Sequence, residues 1–252
     1  MIRWLSFIYG VSCHLLFLVT FAYLAGFVGN LLVPKAIDTP SSASLTVALA
    51  ANLGLILLFG LQHSVMARPA FKRLWTQIIP QPIERSTYVL ISNVVTFVLV
   101  WGWQGIDLVV WDVQQPLGRT LLWGLFAAGW LLVFVASLMI DHFDLFGTRQ
   151  VWFYLQCREY APPEFRLPGL YQWVRHPLYI GWALAFWATP TMTLGHLLFA
   201  SALTAYMVLA SKIEERDLVR YYGRQYEDYQ RQVPAFVPRL GREPVAISPG
   251  SR

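Results

Sequence analysis

Residues 176–211 read HPLYIGWALAFWATPTMTLGHLLFASALTAYMVLAS, 36 residues without an Asp, Glu, Lys or Arg. As one continuous helix they would form a rod of roughly 54 Å, against a hydrocarbon core of roughly 30 Å. Thr189-Pro190-Thr191 interrupts the run, and an internal proline removes a helix hydrogen bond and breaks or kinks the helix. The stretch is therefore predicted to be a helical hairpin with arms at 178–188 and 194–211, the first arm short for a complete crossing.

Four more charge-free stretches lie upstream, at 4–34, 39–67, 86–106 and 120–140, and the five together exceed half of the 252 residues. The chain is 56% hydrophobic and 13% charged, with mean hydropathy +0.48. An ordinary soluble domain carries about 25% charged residues, so a water-soluble globular domain and a disordered chain are both excluded. Spans are predicted at 5–33, 45–66, 88–110 and 121–140. The first is too long for a secretory signal peptide, and no small-residue cleavage site follows a short apolar core.

The basic residues orient these spans. With the N-terminus in the cytoplasm, 17 of the 19 Lys and Arg residues fall on the cytoplasmic side, and only Lys35 and Arg119 fall outside. That asymmetry is the positive-inside signal. A single crossing at 176–211 would strand the eight basic residues from Lys212 onward on the outer side, so the rule supports the hairpin. Trp101, Trp103, Trp111 and Trp123 then form an outer aromatic belt, and His196 faces the outer interface. The surplus of five positive charges is explained by orientation and needs no nucleic-acid partner. Cys13 and Cys157 make neither a disulfide framework nor a metal-ligand spacing. Nothing in the sequence fixes an oligomeric state.

The fold class that follows is all-α: a polytopic membrane bundle of four spans, a C-terminal helical hairpin and a cytoplasmic amphipathic helix at 212–231. Leu218, Tyr222, Tyr226 and Tyr229 lie on one face of that helix, and Pro234 ends it. One membrane domain covers 1–240, and 241–252 reads as a disordered end.

Two segments carry candidate chemistry. Gly169-Leu170-Tyr171-Gln172-Trp173-Val174-Arg175-His176-Pro177-Leu178-Tyr179-Ile180-Gly181 places Pro177 at the first helical position, where its missing N–H costs nothing. His176, ahead of a proline, is pushed into an extended conformation. Free N–H groups at Leu178, Tyr179 and Ile180, with Arg175 and His176 beside them, would suit a carboxylate or phosphate. Gly181 lets a ligand or another helix approach closely. The same segment also reads as an interfacial cap with a snorkelling arginine. The second segment, Lys212-Ile213-Glu214-Glu215-Arg216-Asp217, leaves the membrane after the last arm. One of its glutamates is expected to face the bundle and hold a cation, and the other to face Arg216 or water; a solvated charge pattern is the simpler alternative.

Taken together, Arg175-His176-Pro177-x-Tyr179-x-Gly181, the hairpin, Glu214-Glu215, Tyr222-Gly223-x-x-Tyr226-x-x-Tyr229 and Val233-Pro234-x-x-Val237-Pro238 resemble the isoprenylcysteine carboxyl methyltransferase and phospholipid methyltransferase superfamily over roughly 167–238. The resemblance implies an S-adenosylmethionine (SAM) pocket lined by Tyr171, Arg175, His176, Pro177, Tyr179 and Gly181, with Glu214 and Glu215 on its acidic side. Further upstream, Gln62-His63-Ser64-Val65-Met66-Ala67-Arg68, Glu84-Arg85-Ser86-Thr87-Tyr88 and Asp141-His142-Phe143-Asp144-Leu145-Phe146-Gly147-Thr148-Arg149-Gln150-Val151-Trp152 resemble the bacterial methanethiol S-methyltransferase family, related to nurim and to NnrU-like membrane proteins. That resemblance implies methyl transfer from SAM to a small thiol, methanethiol giving dimethyl sulfide, in a bacterial inner membrane with both termini cytoplasmic.

Such a reaction needs a thiolate, and a free thiol titrates near 8.5. A neighbouring cation and a neutral histidine can supply it; Arg175, then His63 or His142, are the candidates. Asn52, Phe59 and His63 share one helical face. His14 is a weaker candidate, and Asp144 with Arg149 reads as an interfacial ion pair. Other readings are a lipid or prenylcysteine methyltransferase, an NADPH-dependent sterol-type reductase with a similar Arg-His-Pro turn, and a non-catalytic nurim-like membrane protein. No residue pattern indicates a metal.

Overall fold

The computed structural model describes residues 1–238. The end of the expected 1–240 domain and the expected disordered stretch 241–252 lie outside the described residues. In chain order the elements are α1 (Ile2–Gly29), α2 (Leu45–Met66), α3 (Pro69–Trp75), α4 (Glu84–Gly102), β1 (Val109–Asp112), α5 (Pro116–Ile140), α6 (His142–Leu145), α7 (Thr148–Leu155), α8 (Pro177–Trp187), β2 (Thr191–Thr193), α9 (Leu194–Tyr222) and α10 (Arg224–Gln232). Among the described residues, five helices are long and apolar enough to cross a bilayer: α1, α2, α4 with its preceding turn, α5 and α9. The protein is an integral membrane protein with an all-α bundle.

Each span sorts its residues by face. On α2, Ala48, Asn52, Ile56 and Gly60 are buried at every fourth position, while Leu53, Leu57, Leu61 and Val65 are exposed on another stripe. Water would not tolerate that exposed stripe, and acyl chains do. On α5 the buried positions Phe126, Gly129, Trp130, Val133 and Ser137 repeat at three and four and turn toward α8. A Cβ on Gly129 would lie 2.5 Å from the Ala185 nitrogen, and one on Gly181 would lie 2.8 Å from the Val133 nitrogen. The two backbones therefore touch through a pair of glycines. In lipid, where apolar contact with the solvent costs nothing, such close approach is the main source of helix association.

The hairpin is present. Helix α8 is roughly 16 Å long, and the chain continues through residues 188–190 into an extended segment at 191–193. Their strand β2 pairs antiparallel with β1, Val109 opposite Thr193 and Asp112 opposite Thr191. Asp38 accepts from Thr193 Oγ1 at 2.5 Å, so the loops after α1, after α4 and after α8 meet at one end of the bundle. Asn52 closes the same end: its side chain donates to the Gln104 carbonyl and accepts from the Gln104 N–H, both at 2.8 Å.

Several boundaries differ from the sequence expectation. Helix α1 stops at Gly29 because Asn30 adopts a left-handed conformation (φ 54°). The span expected at 88–110 ends at Gly102, and its last residues form β1. Trp103 is fully buried and belongs to the core rather than to an aromatic belt. His196 is 1% exposed and donates from Nε2 to the Phe186 carbonyl at 2.8 Å; it does not face the outer interface. The amphipathic helix expected at 212–231 is two pieces. Helix α9 runs unbroken through Tyr222, and Gly223 (φ 59°, ψ −133°) turns the chain into α10. The expected face survives the turn, because Leu218, Tyr222, Tyr226 and Tyr229 still pack together with Phe165, Leu167 and Val233.

Candidate active site

The ends of the hairpin opposite its bend come together. Arg175 and His176 lie just ahead of α8, where His176 (φ −126°, ψ 60°) stays out of the helical region, as its proline neighbour requires, but falls short of the extended conformation expected from the sequence. Their backbone N–H groups donate to the carbonyls of Pro234 and Ala235 at 2.9 and 3.0 Å. The segment after α10 therefore folds back along the start of α8.

Glu215 is the centre of this assembly. Its carboxylate accepts from Arg175 Nε at 2.7 Å and Nη2 at 3.2 Å, and from Gln230 Nε2 at 2.9 Å. His176 Nε2 lies 2.8 Å from the same Oε1. Arg175 Nη1 donates to the carbonyls of Gln230 and Val233 at 3.1 and 2.5 Å. Both side chains of the ion pair are only 13% exposed. Four of the five N–H donors of this guanidinium thus have a protein partner, and the charge of Arg175 is committed to Glu215. It ties α8, α9 and the chain after α10 into one unit.

Glu214 differs. Its Oε2 accepts from the Tyr179 hydroxyl at 2.9 Å, and its Oε1 has no partner among the described residues. Successive residues point about 100° apart on a helix, yet both glutamates face the bundle, because α9 continues past the membrane limit with α8 on one side and α10 on the other. The Tyr179 ring stacks on His176 (5.2 Å, 6° between planes), and Phe236 covers the other side of that imidazole at 5.5 Å. Tyr171 is buried, and its backbone oxygen accepts from the Tyr229 hydroxyl at 2.7 Å. Burial first, and then the Glu214 charge, holds the Tyr171 phenol well above its ordinary pKa. Burial and both glutamates do the same for Tyr226. Glu214 is thus surrounded by neutral phenols.

His63 closes the opposite wall. Its Nδ1 lies 3.0 Å from the Tyr88 hydroxyl, and Phe59 stacks on its ring at 5.3 Å. Its Nε2 has no partner among the described residues. Two contacts fasten this wall to α9: Ser64 to Tyr206 across 3.0 Å, and Arg68 to Asp217 at 2.7 Å. These contacts hold the His63 end of α2 against α9, the helix that carries Glu214.

Other expected residues lie elsewhere. His142 is not at this rim. Its Nε2 meets His14 Nε2 at 2.9 Å and its Nδ1 meets Ser137 Oγ at 2.8 Å, while His14 Nδ1 meets Thr148 Oγ1 at 2.7 Å. Both imidazoles are consumed in a buried chain between α1, α5 and α7, and Phe146 stacks on His14 at 5.3 Å. Gly181 turns to α5, not to a ligand. Pro177 is fully buried at the first helical position. The N–H groups of Tyr179 and Ile180 are taken by the His176 carbonyl at 3.1 and 3.2 Å, so the start of α8 is no open anion site. Arg149 pairs with Asp141, while Asp144 accepts from the Tyr160 hydroxyl at 2.7 Å. Tyr88 and Gln230 had no assigned role. Tyr88 was visible four residues into a polar cluster that opens a span; Gln230 carries no sequence signal.

The histidine pair makes a testable statement about pH. Burial, reinforced by His14, lowers the pKa of His142 from 6.5 to about 4. The folded form therefore binds fewer protons than the unfolded one between these values. Stability is complete above pH 6.5 and is lost as pH falls, by roughly 3 kcal/mol at pH 4. The melting temperature of the detergent-purified protein should drop steadily from pH 7 to pH 4.5, and His142→Gln should flatten that slope. Parallel curves would refute the assignment.

Comparisons agree with this architecture. The profile of the family described as NnrU protein matches residues 52–240. A methanethiol S-methyltransferase of Crocosphaera subtropica is 48% identical over 236 residues, covering 94% of this chain and 92% of its own length. A methanethiol S-methyltransferase of Mycobacterium tuberculosis is also 48% identical, covering 94% and 97%. Nurim of Sus scrofa is 31% identical over 192 residues, covering 73% and 72%. No solved structure matches. The chain therefore belongs to the NnrU protein family, and to the same family as the methanethiol S-methyltransferases it resembles.

Proposed function

We propose that the protein transfers the methyl group of SAM to a small thiol, methanethiol giving dimethyl sulfide, at the cytoplasmic face of a bacterial inner membrane. The observation that carries this reading is the open carboxylate oxygen of Glu214. The other oxygen of that carboxylate accepts from the Tyr179 hydroxyl, and α9, which carries it, is fastened to the His63 wall through Ser64 and Arg68. The donor set fits SAM: Glu214 suits its ammonium, and the Tyr179 ring suits its sulfonium. When bound, SAM supplies an electrophilic methyl on a positively charged sulfur.

The protein's part is alignment and proton removal. The hub around Glu215 fixes Tyr179 and Glu214 relative to one another, so the reacting sulfur and carbon are held in line. His63 Nε2 receives the thiol proton. Opposite charges cancel in the transition state, and the apolar bundle favours this because water would stabilise the separated ions most. The names of the bacterial relatives favour a small thiol over a lipid or a prenylcysteine. Tritiated methyl transfer from SAM to thiols, lipids and prenylated peptides tests the choice directly.

Glu214→Gln keeps the shape and removes the charge. Losing one charge-assisted contact costs about 1.5 to 3 kcal/mol, so the KM for SAM should rise at least about tenfold. The demethylated product should lose its ability to raise the melting temperature. An unchanged KM would reject Glu214 as the ammonium site.

A further inference from the structure

With the charge of Arg175 neutralised by Glu215, a thiolate at this site calls for another cation beside the sulfur. Three basic side chains gather around the His63 wall. Arg68 is neutralised by Asp217 at 2.7 Å. Lys72, half-buried on α3, has no hydrogen-bond or ion-pair partner among the described residues; burial first, then Arg85, lowers its pKa. Arg85, half-buried at the start of α4, donates from Nε to the Leu145 carbonyl at 2.7 Å. Its guanidinium carbon lies 4.7 Å above the Tyr88 ring. Neither Nη1 nor Nη2 of Arg85 has a partner among the described residues. Both of these nitrogens are therefore free to meet an anion.

We propose that Arg85 is the cation that holds the acceptor sulfur as a thiolate, with His63 Nε2 taking its proton. The proposal rests on the methyltransferase reading above. The Tyr88 hydroxyl lies 3.3 Å from the His63 carbonyl and 3.0 Å from Nδ1. When it donates to the carbonyl, its oxygen accepts from Nδ1–H, and the lone pair of the ring is left on Nε2. In that arrangement Tyr88 holds the tautomer that a base requires, and Arg85 lies over the ring of that same tyrosine.

The step balances. The S–H bond breaks and its proton goes to Nε2. A sulfur lone pair forms the new S–C bond as the C–S⁺ bond of SAM breaks, and that bonding pair stays on the departing sulfur as a neutral thioether. The imidazolium then gives its proton to water. The charged and titratable groups around Arg85 are Arg68 and His63 from α2, Lys72 from α3, Glu84 and Tyr88 from α4, Asp144 from α6, and Tyr206 and Glu214 from α9. Asp144 is already engaged by Tyr160 and Gln150.

The test compares wild type, Arg85→Met and Arg85→Lys in detergent. Methyl transfer from SAM to methanethiol, and to the more acidic trifluoroethanethiol, is followed between pH 6 and 9.5. An opposite charge in contact shifts a pKa by about 1 to 3 units. Arg85→Met should therefore lose about a hundredfold in rate at pH 7, with its alkaline midpoint raised by at least about one unit and the KM for SAM little changed. The acidic thiol should recover most of the loss, and Arg85→Lys should stay within about tenfold of wild type. A uniform loss at every pH and with both thiols would overturn the proposal and leave Arg85 a structural residue; a wild-type rate in Arg85→Met would overturn it as well. If the wild-type protein transferred no methyl group to either thiol, the functional reading itself would fall, and this proposal with it.

Discussion

Glu215→Ala is expected to destabilise the protein by about 3 to 5 kcal/mol and to abolish methyl transfer. The variant leaves the Arg175 guanidinium beside two carbonyls with no counter-charge, at a position only 13% exposed. It also removes the acceptor shared by His176 and Gln230. Breaking a pair in this way costs more than the pair is worth, because one charge stays behind. The double variant Arg175→Met/Glu215→Ala should therefore be more stable than Glu215→Ala alone. Denaturation in detergent across the four members of the cycle measures this. A Glu215→Ala protein as stable as wild type would mean that water reaches Arg175 freely and that the hub does not hold the hairpin ends together. Activity should not return in the double variant, because Glu214 and Tyr179 would no longer be fixed.

Gly129→Val carries the second large effect. A Cβ there meets the Ala185 nitrogen at 2.5 Å and the Gly181 oxygen at 2.9 Å. Both are backbone atoms, which cannot rotate aside. Helix α8 must move off α5, which costs about 1 to 3 kcal/mol or more. Tyr179 and His176 move with α8, and a displacement of about 1 Å is enough to lose a hundredfold in rate. Gly124 on the same helix is the control, since nothing lies within 4 Å of a Cβ there. Gly124→Ala should be neutral or stabilising by about 0.5 to 1 kcal/mol. Equal effects of the two substitutions would show that α5 and α8 are not in contact in the membrane.

The spans and the hairpin were legible because lipid imposes length and charge rules on a sequence directly. What escaped was whatever depends on partners distant in the chain. Hydropathy marks the edge of the membrane, not the end of a helix, so α9 was expected to end near Ser211 although Gly223 is the residue that turns it. Val109-Val110 ended the expected span and read as helix, while their β-branched side chains suited the strand that β2 completes. At the site, Arg175, His176, Tyr179, Glu214 and Glu215 were named from sequence and do come together. Their division of labour was not legible. The number of acceptors around Arg175 depends on Gln230 and Val233, more than fifty residues later. His142 looked available until α1 brought His14 against it. The Gly181-x-x-x-Ala185 spacing was readable as a packing motif, and only the position of α5 decided between a helix and a ligand.

The return of the chain from Pro234 and Ala235 to the backbone of Arg175 and His176 bears on how the protein is made. A ribosome adding about 5 to 20 residues per second needs roughly 3 to 12 seconds to get from residue 175 to residue 235. Throughout that interval the nascent hairpin sits in the translocation machinery with its guanidinium incompletely covered and its two ends unclasped. The clasp therefore forms only once residue 235 has been made, and a chain released before that point would be inserted in the bilayer with its hairpin ends unjoined.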